Sequence, residues 1–127
     1  MMSENNKGII EHYIGAYNSF DIEGMLSLLH QDVLFRNYSN GEVNAETRGI
    51  QQFRGLAEKS AKIFSSRCQT ITSYSAIANK AEIQVDYKAI LSEDLPNGLK
   101  QGDQLQLKGK SVFEFQEGKI SVIEDYS

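Results

Sequence analysis

The sequence predicts an α+β fold, with three helices followed by a curved antiparallel sheet that wraps around them as a cone. Three observations predict it. Apolar residues recur at helical spacing only in the first half of the chain. From Cys68 onward the pattern is of strands, with period-two alternation strongest in the later ones. The last stretch, Gly109 to Ser127, is a long aromatic-rich hairpin that cannot be stable alone in water. Its apolar face must be covered, and the helices at the other end of the chain are the candidates. Helices first and hairpins after is the α+β order.

In chain order, Asn5 to Asn18 reads as a helix with Ile9, Ile10, Tyr13, Ile14 and Tyr17 on one face. Asp21 is placed to cap a short second helix whose stripe is Ile22, Met25, Leu26 and Leu29. Gln31-Asp32 ends it, and Val33 to Asn37 reads as a first strand. Asn40-Gly41 is a turn signal, so Arg36 to Glu46 is expected to form an irregular hairpin. Thr47 is expected to cap a third helix, Arg48 to Phe64, with Ile50, Phe53, Ala57, Ala61 and Phe64 aligned.

Strands fill the rest. Thr70 to Ala78 alternates weakly, with a turn expected at Asn79-Lys80. Ile83, Val85, Tyr87, Ala89 and Leu91 then alternate cleanly. Glu93 to Gly102, with the sole proline and Asn97-Gly98, is the loop. Leu105 to Phe115 is one long strand, in which the small Gly109 and Ser111 let the sheet bend. Glu117-Gly118 turns it into the return strand Ile120 to Tyr126. Alternation of this kind means an antiparallel sheet with one covered face. A cone with helices across it leaves a cavity open at one end.

Composition bounds the partners. The 127 residues read as one domain spanning 1–127, large enough for a core. The formal net charge is -4 and the 13 basic residues are scattered, which argues against nucleic acid. Cys68 is alone, so it forms no internal disulfide, and it is expected to be a buried strand residue. The opening MMSENNKG has no apolar leader core, and no apolar run reaches the ~18 residues of a membrane helix. A soluble, cytoplasmic protein is the expectation. His12 and His30 are the only histidines and have no ligand spacing, so no metal is expected; His12 is expected on the exposed side. No phosphate-cradling glycine loop or nucleophile elbow occurs, so no cofactor is expected.

Three stretches, HYIGAYNSFDIEGMLSLLHQDVLFRN, ETRGIQQFRGLAE and KSVFEFQEGKISVIEDYS, resemble the nuclear transport factor 2-like superfamily. Within it they are similar to the SnoaL-like and ketosteroid isomerase-like proteins. The resemblance implies the cone, a small-molecule ligand and a homodimer. It is nearly silent on activity, because that superfamily holds isomerases, cyclases, dehydratases, epoxide hydrolases and binding-only proteins. The ketosteroid isomerases use a first-helix tyrosine, which falls on Tyr13. Their base aspartate falls on Asn37 and their oxyanion-hole aspartate on Ser111. Asn37 cannot accept a proton near neutral pH, and Ser111 is a weaker donor than a carboxylic acid. Steroid isomerisation by that mechanism is therefore not implied.

Asp125 is the candidate for acid/base work. Strand parity puts it on the face of Ile123, opposite Ile120 and Val122, and in the resembled fold the face of Ile123 and Asp125 is the cavity face. A carboxylate there is desolvated, which raises its pKa toward a useful range. At a frayed strand end it would instead be solvated. Tyr13 and Tyr17 share one helix face, either as hydroxyl donors to a ligand or as packing with the hydroxyl at the rim. The expected pocket is apolar, lined by Tyr13, Tyr17, Phe35, Phe53, Phe113 and Ile123. Asn37, Ser111 and Tyr74 are candidate polar contacts, while Arg36 and Arg48 read as surface residues. The rival reading is a non-catalytic homodimeric module with its cavity filled by Phe35, Phe53 and Phe113. It would associate through an outer face bearing Gln84, Lys88, Gln106 and Lys108.

Overall fold

The computed structural model describes residues 2–96 and 98–127. Helices α1 (Met2–Asn18), α2 (Ile22–Leu26) and α3 (Ile50–Ala61) interleave with the first two of six strands. The strands are β1 (Leu29–Ser39), β2 (Glu42–Arg48), β3 (Phe64–Ile77), β4 (Lys80–Leu91), β5 (Gln104–Gln116) and β6 (Lys119–Tyr126). They form one sheet in the order β2-β1-β6-β5-β4-β3, and the β5–β6 hairpin lies in its middle. The α+β cone expected from the sequence is the fold observed. The sheet is not wholly antiparallel, however, because β1 and β6 run parallel. No hairpin can join parallel neighbours. Here nearly the whole chain lies between the two strands and serves as the crossover.

Several boundaries differ from the sequence reading, each for a local reason. Asp21 caps α2 as expected, accepting from the Gly24 amide at 2.9 Å. The helix is only five residues long, and Leu29 already belongs to β1. Thr47 is not a cap. Gly49, with φ of 84°, turns the chain, so α3 starts at Ile50 and Thr47 stays in β2. The Thr47 hydroxyl is buried with no hydrogen-bond partner among the described residues. At its other end α3 stops at Ala61. The Ser92 amide and hydroxyl take the carbonyls of Ile63 and Lys62, and Phe64 swings into β3. The β3–β4 turn falls on Ala78-Asn79, one residue early, with Ala78 at φ 55°. Of the expected Asn97-Gly98 turn, Asn97 lies outside the described residues. Cys68 is exposed, not buried; it alternates with the inward-facing Arg67 and Gln69. His12 is exposed as expected.

The core lies between the helices and the concave sheet face. Ile10, Val33, Ile83, Phe113, Ile120 and Ile123 are fully buried in it. Ile120 was expected opposite Ile123. A bulge explains the difference: pairing passes from Phe115–Ile120 to Glu114–Val122, leaving Ser121 as the extra residue. Both isoleucines therefore face the core, while Val122 faces outward. Ile120→Ala should cost about 2–5 kcal/mol and Val122→Ala less than about 1 kcal/mol in urea unfolding. Equal costs would contradict the bulge.

Candidate functional site

One lateral row of the sheet carries most of the polar chemistry. In a sheet, residues directly paired across strands point to the same face. Asn37 on β1 pairs with Asp125 on β6, Asp125 with Ser111 on β5, Ser111 with Ile83 on β4, and Ile83 with Tyr74 on β3. Asn37 and Ser111, the two positions that take carboxylates in the ketosteroid isomerase resemblance, thus flank the carboxylate this chain does have. The Ser111 hydroxyl, itself buried, donates to Asp125 Oδ1 at 2.6 Å. Asp125 Oδ2 has no partner among the described residues.

Above this row the cone encloses two adjoining chambers. The inner one, of about 80 Å³, is lined by Tyr13, Phe35, Phe53, Phe113 and Arg67 among others. The outer one, of about 380 Å³, is lined by Asn37, Phe64, Tyr87, Leu107 and Tyr126 among others. Tyr17, Phe35, Gln69, Ser111 and Asp125 border both, so Asp125 stands at the neck between them. The aromatic walls interlock. Tyr13 meets Phe113 edge-on at 6.0 Å, and Phe35 meets Phe53 edge-on at 5.6 Å.

Burial governs the ionisation of the site. Desolvation pushes the Asp125 carboxyl up to about 6, although the Ser111 hydrogen bond pulls the other way. Burial likewise lifts the Tyr13 phenol well above its ordinary value, with the Asp125 charge adding to the effect. Tyr13 is therefore a neutral hydroxyl across the accessible pH range, and no hydrogen bond engages it among the described residues. Burial also raises Tyr17, whose hydroxyl is paired with Tyr87 at 3.0 Å.

Seven of the candidate site residues named from the sequence thus border the inner chamber: Tyr13, Tyr17, Phe35, Phe53, Ser111, Phe113 and Asp125. Asn37 reaches only the outer chamber and donates to Asn44 at 2.7 Å. Ile123 is sealed in the core and lines neither chamber. Tyr74 also lines neither; its ring packs on the core with the Lys7 ammonium 5.5 Å from its centre. Arg36 and Arg48 pair with Glu46, outside the cavity. Sequence reading missed Arg67, Gln69, Leu56 and Ser60. Arg67 is the surprise: it is 5% exposed, and its Nε donates to the Tyr17 carbonyl at 2.8 Å. Among the described residues no cluster of histidine, cysteine or carboxylate side chains could hold a metal.

Cone, neck carboxylate and aromatic chambers together define a nuclear transport factor 2-like domain. Within that class the chain belongs to the SnoaL-like domain family, which it matches over residues 10–123. No curated protein matches the chain in sequence. Among solved structures it is similar to a proposed polyketide cyclase from Xanthomonas campestris pv. campestris. That comparison has a TM-score of 0.85 and 17% identity, and covers 100% of this chain and 93% of the other. It is similar to AclR from Streptomyces galilaeus, proposed to be a hydroxylase, at TM-score 0.77 and 18% identity, covering 98% and 89%. It is also similar to an LEH-like epoxide hydrolase from M. tuberculosis at TM-score 0.73 and 18% identity, covering 93% and 78%. At these identities the likeness is one of fold. No helix among the described residues is long and apolar enough to cross a membrane.

The Asp125 shift has a consequence for stability. A carboxyl that titrates near 6 folded and near 3.8 unfolded holds its proton more tightly in the folded state. The ionised group therefore costs stability above pH 6, and the cost disappears as pH falls below about 4. Asp125→Asn keeps an oxygen for the Ser111 hydroxyl and removes the charge. It should stabilise the protein by on the order of 2 kcal/mol at pH 7.5 and by little at pH 4. Urea unfolding at the two pH values measures this; a variant no more stable than the parent at pH 7.5 would place Asp125 in solvent.

Proposed function

We propose that this domain binds a small apolar carbonyl compound in its cone and moves a proton on it without a cofactor. Isomerisation, cyclisation and dehydration all begin with such a step. The observation that carries the reading is the Asp125 carboxylate, desolvated, held by a single hydroxyl and set at the neck of an aromatic cavity. With a pKa of about 6, roughly nine-tenths of the groups are ionised at pH 7. The carboxylate is then a stronger base than a free aspartate, yet still mostly in the basic form. Ser111 occupies Oδ1, so Oδ2 is the atom to take a proton from the carbon next to the carbonyl. Tyr13, neutral and without a hydrogen-bond partner among the described residues, would donate to the oxygen that becomes negative. Phe35, Phe53 and Phe113 keep water from competing for either group.

The test is exchange of the C–H protons next to the carbonyl of a simple cyclic ketone such as 2-tetralone dissolved in D₂O, followed by proton NMR. The protein should accelerate exchange over buffer. Asp125→Asn should abolish the acceleration, and Tyr13→Phe should reduce it by roughly a hundredfold. Ligands that bind without any accelerated exchange would favour the non-catalytic module. One observation supports that second reading: the inner chamber, lined by Phe35, Phe53 and Phe113, is by itself well below the roughly 300 Å³ of an ordinary ligand site. The outer chamber exceeds that size.

We also propose a homodimer. The outer face of β4 and β5 is polar, with Gln84, Lys88, Gln106 and Lys108 exposed, which suits a wet sheet-to-sheet contact. Sedimentation at micromolar concentration should give the dimer mass; a monomer alone would contradict it.

A further inference from the structure

Arg67 is a buried cation with no carboxylate paired to it among the described residues. It enters the cavity wall from β3, opposite Ala89, while Asp125 lies on the row that crosses β4 at Ile83. Six residues along β4 separate the two rows, roughly 20 Å of strand, yet the bent sheet brings both side chains to the inner chamber. Arg67 does not figure among the causes of the Asp125 shift, which are burial and Ser111. The two charges thus stand apart, at different places on one cavity.

The surroundings of Arg67 hold it without neutralising it. Tyr17 and Phe20 pack on the guanidinium, at 3.7 Å and 4.4 Å from their ring centres. Nε is taken by the Tyr17 carbonyl, a neutral acceptor. Neither terminal nitrogen has a hydrogen-bond acceptor among the described residues, and neither is both sealed and unpaired. They therefore face open volume. The mounting is rigid. The Asn18 side chain accepts from the Gln69 amide at 2.8 Å and donates to its carbonyl at 3.1 Å, fastening the end of α1 to β3. Next to Arg67, Gln69 and the Tyr17–Tyr87 hydroxyl pair add further donors to the same wall.

Taking a guanidinium out of water is costly unless a counter-charge meets it. A planar fork with both outer nitrogens free matches a carboxylate or a phosphate through two parallel hydrogen bonds, and in a small aromatic-lined chamber the flat, singly charged carboxylate is the less costly of the two to desolvate. We infer that Arg67 anchors a carboxylate on the ligand, so that the cavity takes small apolar carboxylic acids whose reactive end points to Asp125. The inference rests on the cone being the ligand site, as proposed above. It deepens that reading by naming the substrate class. It also supplies an orientation: the anionic end is drawn to Arg67 and repelled from Asp125, leaving the uncharged, proton-bearing end at the base.

Isothermal titration of the unmodified protein with two acid and amide pairs tests this: benzoate with benzamide, and 2-naphthoate with 2-naphthamide. Each acid should bind on the order of tenfold to a hundredfold more tightly than its amide. Arg67→Gln should erase that preference while leaving amide affinity within about threefold. Arg67→Lys, which keeps the charge and loses the fork, should retain part of it. The acid-to-amide comparison on the parent protein stands even if a variant fails to fold. Amides that bind as tightly as acids would overturn the anchor and leave the cavity as a neutral-ligand site. Failure of all four probes to bind would overturn the cavity reading itself, and the anchor with it.

Discussion

The seating of β6 between β1 and β5 is the constraint on which the rest depends. It pairs in parallel with β1 on one side and antiparallel with β5 on the other. Its extra residue at Ser121 brings both Ile120 and Ile123 to the core face. Those two side chains fix the register, because a slip by one residue would move each from core to solvent. With the register fixed, Asp125 must fall between Asn37 and Ser111. The helices then close over the same face, and the carboxylate is left at the neck of a cavity instead of in water. The position of the Asp125 carboxylate is thus a consequence of hydrophobic packing several residues away.

Two ionisable groups then carry opposite solutions to the same problem. Burial disfavours the charged form of each. Asp125 has one neutral hydroxyl to accept from, and its proton affinity rises. Arg67 is held by ring faces and a carbonyl instead. Neither is positioned to neutralise the other. A core built for stability alone would join them or replace them with apolar residues. Kept apart, both border the inner chamber.

Much of this was legible in the sequence, and the misses share a cause. The cone, the helix stripes, the Asp21 cap and the central hairpin follow from periodicity and turn chemistry, which are local. Asp125 was legible because it keeps parity with Ile123, two residues away on an unbroken stretch of strand. Ile120 was misplaced because a bulge leaves no mark in composition. The parallel pairing of β1 with β6 is a contact between chain ends that no local pattern encodes. Arg67 was hidden by a boundary. Ile50, Phe53, Ala57, Ala61 and Phe64 keep helical spacing past the true end of α3, so the first half of β3 was read as helix and loop. With β3 begun at Phe64, alternation places Arg67, Gln69 and Ile71 on one face. An arginine in that series is the signal that was available. Tyr74 continues on the inner face beyond the bulge in β3, yet it sits past the cavity, a matter of sheet curvature that parity does not give.

The central claim is that packing desolvates Asp125 enough to make it a base near neutral pH. Carbon-detected NMR titration of the side-chain carboxyls, with Asp125→Asn to assign the resonance, measures it directly. The account predicts a midpoint near pH 6 for Asp125 in the unliganded protein. A midpoint near 4, that of a free aspartate, would contradict it.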